Sequence, residues 1–343
     1  MISTVNIVIP CRNEEKYIAK CLESIVCSDF DKSMLTVCVC DGVSTDNTVQ
    51  IIKYFEIKYP YIHYLQNPFQ TTPHALNLGI KHVSADVSII LGAHAEIYPD
   101  FIDNCLKAFK HDQSIGCVGG IIENIHEDEE SKLIALAMSS SFGVGNAHFR
   151  TGTAEGYVDT VAFGAYTKEV FEKCGYFDED LIRNQDDEFN YRLIKNRFKI
   201  WLDKSIRSKY YVRASKMKLK NQYYQYGYWK VFVNKKHRTV TTLRQLIPAI
   251  WVAYIVLGLP LSLIVGFMLL PQVLLLYLIG LALYFVIGFM FSSRLTEAFP
   301  ERMQILKIFS ILHLSYGKGY LLGVVHFIVL NKKPVKKSIE ITR

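Results

Sequence analysis

The feature that most constrains this 343-residue chain is the stretch 245–293, which holds no charged side chain. Two runs inside it, 246–270 and 273–291, are each long enough to cross ~30 Å of hydrocarbon as a helix. Pro271-Gln272 between them predicts a tight hairpin on the far side. That hairpin brings Arg294 back to the face from which the chain entered, as the positive-inside rule requires. A third apolar segment, 305–330, contains His313, Lys318 and His326. Were it to span, Lys332, Lys333, Lys336 and Lys337 would end on the wrong face for that rule. The expectation is two spans followed by an interfacial or re-entrant helix, with three spans as the alternative.

The net charge of +7 is concentrated just upstream. Between Asp203 and Glu297 there is no acidic residue, whereas basic side chains recur from Lys204 through Lys216, Lys230 and Lys236 to Arg244. A basic belt ahead of an uncharged apolar span reads as a surface facing the cytoplasmic side of a membrane. Tyr223, Tyr224, Tyr226, Tyr228 and Trp229 interleave with that belt, as in a nucleic-acid patch. The apolar span that follows decides for the membrane and against nucleic acid. All eight cysteines fall within the first 174 residues, without zinc-type spacing and partly inside apolar runs such as VCVCD at 37–41. They read as small core residues in a reducing compartment rather than a disulfide framework. The opening MISTVNIVIP has neither the basic leader nor the long apolar core of a secretory signal, so the first half is expected in the cytoplasm.

That first half alternates strand and helix patterns. Apolar strands are expected at 4–10, 35–41, 62–67 and 86–93, with helical periodicity at 18–25, 47–59 and 74–83 between them. Such alternation predicts an α/β fold with a doubly wound, mostly parallel sheet, which binds ligands at the carboxyl ends of its strands. Those ends carry Pro10, Arg12, Asn13 and Glu14; then Asp41 and Gly42; then Gly92, Ala93 and His94. All three clusters should face one crevice. Farther on, 183–192 reads RNQDDEFNYR. On a helix, Gln185, Phe189 and Arg192 share a face, and Asp186 and Asp187 fall in the first turn, where the backbone dipole favours negative charge.

PCRNEE at 10–15, DGVSTDNT at 41–48, an Ala-His step after the fourth strand, and QDDEFNYRL at 185–193 together resemble the inverting family 2 glycosyltransferases of GT-A fold. GVGN at 143–146, VDTVAFGA at 158–165, FDE at 177–179 and NQDDEFNYR at 184–192 are similar to the branch of succinoglycan-biosynthesis glucosyltransferases. The resemblance covers about residues 5–229. It implies that Asp41 accepts a hydrogen bond from a uracil N3–H, that Arg12 and the Pro10–Asn13 backbone frame the base beside Gly42, and that Glu14 meets the ribose. Without it, Asp41-Gly42 is equally a turn and Glu14 a helix start.

The family places Asp-x-Asp, or Asp-Ala-His in this branch, after the fourth strand to hold a divalent metal (Mn or Mg) on the diphosphate. This chain has Gly92-Ala93-His94, so His94 is the remaining candidate ligand, with Glu96 as a helper if it turns inward. The family's acidic motif aligns on 185–192, with Gln185 in place of its usual glutamate. It implies that Asp186 is the base that takes the acceptor hydroxyl proton, with Asp187 as runner-up. A carboxylate neighbour, Asp187 or Glu188, would raise its pKa. Candidate acceptor or substrate contacts are Glu188, Arg192, Arg150, His148 and Asp159. Gln225 and Trp229 add the spacing of the Gln-x-x-Arg-Trp motif of processive synthases, with Tyr228 where arginine would stand. The aromatic rings there are equally suited to anchoring in a headgroup layer. The glycines of 142–150 suit close approach of the backbone to a sugar, or a plain loop.

The expected organisation is a GT-A domain at 1–205, basic aromatic interfacial helices at 206–244, a membrane region at 245–330 and a basic cytoplasmic tail at 331–343. The expected activity is transfer of a hexose from a UDP-sugar to a lipid-linked (polyprenyl diphosphate) acceptor in exopolysaccharide, capsule or related glycan assembly. It would take place at the inner membrane, in a multi-pass protein whose catalytic domain faces the cytoplasm. The alternatives are a processive polysaccharide synthase and a catalytically silent nucleotide-binding scaffold.

Overall fold

The computed structural model describes residues 3–212, 215–268, 270 and 272–333, so Arg213, Pro271 of the expected hairpin, and Lys336 and Lys337 of the tail lie outside the described residues. Two compact units emerge. The first combines the N-terminal 125 residues with 147–211; the second combines 126–146 with the chain after residue 211.

In chain order the elements begin with β1 (Val5–Cys11), α1 (Ile18–Val26), β2 (Leu35–Asp41), α2 (Thr48–Lys58), β3 (Ile62–Gln66) and α3 (Thr72–His82). Then follow β4 (Val87–Ile90), β5 (Ala95–Ile97), α4 (Phe101–Ala108), β6 (Ile115–Ile125), α5 (Glu129–Met138), α6 (Ser141–Val144) and α7 (His148–Thr151). After them come β7 (Gly156–Val158), β8 (Ala162–Thr167), α8 (Lys168–Cys174), α9 (Gln185–Lys195) and β9 (Lys199–Tyr211). The long helices α10 (Lys216–His237), α11 (Ile247–Met268), α12 (Gln272–Ser293) and α13 (Phe299–Gly323) complete the set.

The strands of the first unit form one sheet in the order β3-β2-β1-β4-β8-β6-β9-β5, with β7 added on β9. β1 to β4 pair in parallel, as the alternation predicts. The sheet then turns mixed: β8 enters antiparallel between β4 and β6, while β9 runs parallel to β6. Successive side chains of a strand face opposite sides, which makes two cores out of one sheet. Ile7, Ile9, Val37 and Val39 pack on one side with α1, α2 and α4. Val8, Cys38 and Cys40 pack on the other with α3, α8 and α9. Helix α3 comes so close that a Cβ on Gly79 would lie 2.5 Å from Val8 Cγ1 and 3.0 Å from Cys40 Sγ. Seven of the eight cysteines are buried or half-buried and all are free, consistent with their reading as core residues.

In the second unit, residues 243–267, 272–293 and 299–329 form three helices long and apolar enough to cross a membrane. The third differs from the others: 44% of its most apolar stretch is buried inside the protein, against 11% in each of the other two. It packs along α10 with the backbones nearly touching. A Cβ on Gly227 would sit 2.0 Å from the Tyr316 carbonyl oxygen, and one on Gly319 2.0 Å from that of Tyr224. The 126–146 segment docks on these helices rather than forming an open loop. Lys132 pairs with Glu301 at 3.3 Å. The Phe142 ring lies 5.0 Å from Phe309 and 5.3 Å from His313, and its carbonyl accepts from His313 Nε2 at 2.8 Å.

Candidate active site

The first two strand-end clusters interlock. Cys11, the last residue of β1, offers its carbonyl to the Gly42 amide at 2.8 Å. Asn13, at φ +54°, donates its amide to Ser44 Oγ at 2.8 Å and accepts the Thr45 amide on Oδ1 at 2.8 Å. Asp41 is fully buried at the end of β2, and its carboxylate accepts the Ser44 amide at 3.0 Å and the Ser44 hydroxyl. This turn fixes the Asp41 carboxylate at the strand's carboxyl end. The Gly42 Cβ position is 3.4 Å from Arg12 Cβ, so those two residues line the same corner. Pro10 sits one residue before the strand end, paired with Cys40.

The third cluster joins through Glu14. Its side chain is 3% exposed, and Oε1 lies 3.8 Å from His94 Nδ1. Its amide donates to Thr48 Oγ1 at 2.7 Å. The resemblance implies separate roles for these two residues, at the ribose and at the metal; the fold brings them side by side. Glu96 does not reinforce them, because its carboxylate is taken by the Tyr211 hydroxyl and by Lys209 Nζ at 3.4 Å. Among the described residues no three His, Cys, Asp or Glu side chains converge as a metal-holding group. The His94–Glu14 pair therefore fits a cation that takes most of its ligands from substrate phosphate oxygens and water, as magnesium commonly does. It does not fit a self-sufficient metal centre. The Gly92 position is tight: a Cβ there would stand 3.1 Å from Phe163 Cε1, and Phe163 itself has φ +47°.

The acidic run starts α9 as expected, with Asp186, Asp187 and Glu188 in the first turn after Asn184 at φ +61°. Asp186 is exposed and accepts the Asp187 amide at 2.9 Å, and Asp187 is half-buried. Glu188 is different. Its buried carboxylate is gripped by Arg192, with Nε to Oε1 at 2.7 Å and Nη2 to Oε2 at 2.9 Å. The same guanidinium donates to the carbonyls of Cys174 and Tyr176, at 2.5 and 2.7 Å. Glu188 and Arg192, expected to touch substrate, here tie the 174–176 chain to α9. Asn77 was missed by the sequence reading and does the matching job from α3. Its amide donates to the Phe177 carbonyl at 2.9 Å and to Glu179 Oε1 at 2.8 Å, and its oxygen accepts the Phe177 amide at 2.9 Å. The FDE run was the available signal, but its partner lies 100 residues upstream. Beneath α9, burial pushes the Tyr166 hydroxyl far above its ordinary pKa, and the nearby Cys117 and Asp186 charges add to the shift.

Arg150 on α7 lies over the Tyr210 ring at 5.3 Å and donates to Asn124 Oδ1 at 3.4 Å. His148 bonds only locally, to Thr153 at 3.0 Å, and Asp159 is exposed. Gln225 and Trp229 belong to the second unit. The Trp229 indole is fully buried there, beside Tyr228 and Phe232, so it offers no open face for a sugar. Gln225 is half-buried. Gly143 serves packing, since a Cβ would be 2.2 Å from the Ala137 carbonyl oxygen.

A parallel half-sheet with its polar clusters at the strand ends, continued by a mixed half that carries an acidic helix start, is the GT-A glycosyltransferase fold. Solved structures of similar fold include the mannosyltransferase PcManGT from Pyrobaculum calidifontis in complex with GDP-Man and Mn2+, at TM-score 0.59 and 15% identity over 92% of this chain and 86% of that one. Another is S. aureus TarS 1-349 in complex with UDP-GlcNAc, at 0.52 and 14% over 96% and 92%. Residues 6–175 match the family model Glycosyl transferase family 2. The chain is 36% identical over 240 residues to the dolichyl N-acetyl-alpha-D-glucosaminyl phosphate 3-beta-D-2,3-diacetamido-2,3-dideoxy-beta-D-glucuronosyltransferase of Methanococcus voltae, covering 68% of this chain and 74% of that protein. It is 30% identical over 246 residues to succinoglycan biosynthesis protein ExoA of Rhizobium meliloti, covering 71% and 73%. The chain belongs to glycosyl transferase family 2 and is a glycosyltransferase.

Proposed function

We propose that this glycosyltransferase moves a hexose from a UDP-sugar, with inversion, to a lipid-linked sugar acceptor at the cytoplasmic face of a membrane, in exopolysaccharide, capsule or related glycan assembly. The observation that carries the reading is the exposed Asp186 carboxylate at the start of a helix that Arg192 and Asn77 hold in place, in the same unit as the Asp41 and Glu14–His94 clusters. Asp41, Arg12, Asn13 and Gly42 bind and orient the nucleoside. The acceptor hydroxyl oxygen attacks the anomeric carbon while the bond from that carbon to the diphosphate oxygen breaks. UDP leaves with the electron pair, and the hydroxyl proton passes to a carboxylate oxygen of Asp186. A divalent cation held by His94 and Glu14 would supply neutralising charge to the diphosphate when bound.

The lipid-linked acceptor is supported by the three apolar helices, by the basic run between Lys204 and Arg244, and by the Methanococcus voltae relative, whose name states a dolichyl phosphate-linked sugar as acceptor. A two- or three-span anchor of this kind keeps the transferase where such an acceptor resides. The test is transfer from a panel of UDP-hexoses into a lipid-linked acceptor by the purified full chain, with Mn2+, Mg2+ or chelator. One donor turning over supports the reading; UDP binding with no turnover of any donor would overturn it in favour of a nucleotide-binding scaffold.

A further inference from the structure

We propose that Arg150 is the fixed positive charge that receives the leaving diphosphate, doing in this chain part of what a carboxylate-held cation does elsewhere; the inference rests on the donor reading above. The strand register sets the geometry. Tyr210 of β9 stands opposite Asn124 on β6 and opposite Ala95 on β5. His94, one residue before that partner, packs edge-on to the Tyr210 ring at 5.0 Å and offers its carbonyl to the Tyr211 amide at 3.1 Å. From the other strand, Asn124 holds Arg150 by a hydrogen bond of 3.4 Å, and the guanidinium lies over the same Tyr210 ring at 5.3 Å. Arg150 and His94 thus flank one aromatic ring.

Three further observations give this placement its meaning. First, the carboxylate position is lost: residue 92 is glycine, and the Phe163 ring, held at a positive φ that a bulky residue seldom adopts, stands 3.1 Å from where a Cβ would be. Second, no three metal-type ligands converge among the described residues. Third, Arg150 is half-buried, and no carboxylate pairs with it among the described residues; its partners are an amide oxygen and the rings of Phe149 and Tyr210. A guanidinium held by rings and one weak hydrogen bond keeps most of its five donors for an incoming anion. Its planar fork suits two phosphate oxygens at once. Charge grows on the leaving oxygen as the sugar–oxygen bond breaks, so a fixed cation there stabilises the transition state more than the bound donor.

The test is calorimetric binding of UDP, uridine and inorganic pyrophosphate to the full chain in detergent, in chelator, for the wild type, Arg150→Gln and Arg150→Lys. The wild type should bind UDP at least tenfold more tightly than uridine without metal. Arg150→Gln should lose that margin, roughly 10- to 100-fold in UDP affinity, with uridine affinity unchanged, and Arg150→Lys should keep part of it. A glutamine variant that keeps the margin, or a wild type that gains nothing from the diphosphate without metal, overturns the proposal. Failure of both UDP and uridine to bind refutes the donor reading instead. Pyrophosphate then decides for Arg150: the wild type should bind it and the glutamine variant should not.

Discussion

Replacing Arg192 by methionine should loosen the catalytic helix far more than removing an ordinary surface charge. The methionine keeps an apolar stem against Phe189, over whose ring the guanidinium sits at 4.9 Å, and removes only the charge and its hydrogen bonds. What it weakens is the hold on Glu188, whose side chain is 3% exposed and accepts two guanidinium bonds from Arg192. Breaking one side of a buried ion pair costs about 3–5 kcal/mol, because the remaining charge has lost its compensation. The carbonyls of Cys174 and Tyr176 lose their donor as well. Removing both charges, as in Glu188→Leu with Arg192→Met, leaves no buried charge uncompensated, only the two carbonyls without their donor, and should return to within about 1–2 kcal/mol of the wild type. A protein of two units has no single unfolding free energy, so the assay is hydrogen exchange of the α9 peptide. At about 1.4 kcal/mol per factor of ten, the single variant should exchange there roughly 100- to 4,000-fold faster, and the double variant only about 5- to 30-fold faster. An increase below about tenfold in Arg192→Met, or a double variant no better than the single, would refute the reasoning.

Other outcomes follow from the same structure. The Thr4 and Ser3 amides, in that order, hold the Asp86 carboxylate down to about 2, below the usual carboxylate range. Because the folded value lies below the unfolded one of about 3.9, the contribution is full above about pH 4 and is lost as pH falls through 2. The protection of the β1 peptide against hydrogen exchange, corrected for the intrinsic rate at each pH, should therefore fall on acidification in the wild type, and Asp86→Asn should already be less protected at pH 5. Burial pushes the Cys21 and Cys38 thiols up to about 12, whereas Cys27 is exposed. Iodoacetamide at pH 8 should alkylate Cys27 first, with the half-buried Cys174 following and the buried thiols reacting only on unfolding, as read by mass spectrometry. Gly227→Ala places a methyl 2.0 Å from the Tyr316 carbonyl oxygen and should destabilise the α10–α13 pair by about 1–3 kcal/mol. Gly266→Ala, whose nearest neighbour is 3.7 Å away, should not; limited proteolysis in detergent compares the two.

The parallel half of the sheet was readable because each strand shows its period directly. LTVCVCD spans the observed β2 residue for residue, and the helical spacing of Ile18, Leu22 and Ile25 places α1. The mixed half was not read. β9 runs KIWLDKSIRSKYY, polar enough to pass for a surface segment, and its pairing with β6 joins residues more than 80 positions apart. The acidic helix start was clear from local charge at a helix N-terminus, but the duty of Glu188 and Arg192 was not. Their spacing of four fits a helix-face pair as well as a substrate contact, and only the position of the Cys174 and Tyr176 carbonyls separates the two. The 142–150 stretch was ambiguous for the same reason. Its glycines suggested close approach to a ligand, whereas Gly143 and Phe142 answer to packing partners, some of them more than 140 residues downstream. Side chains fixed by distant backbone leave no local trace in sequence.

The most direct measurement of the central claim is single-turnover sugar transfer by the wild type, Asp186→Asn and Asp187→Asn, with product anomers assigned by NMR. The account predicts an inverted product from the wild type. It also predicts a fall of roughly 100- to 10,000-fold for Asp186→Asn with donor binding intact, and a smaller loss for Asp187→Asn. Full activity in Asp186→Asn, or a product that retains the donor's anomeric configuration, would contradict it.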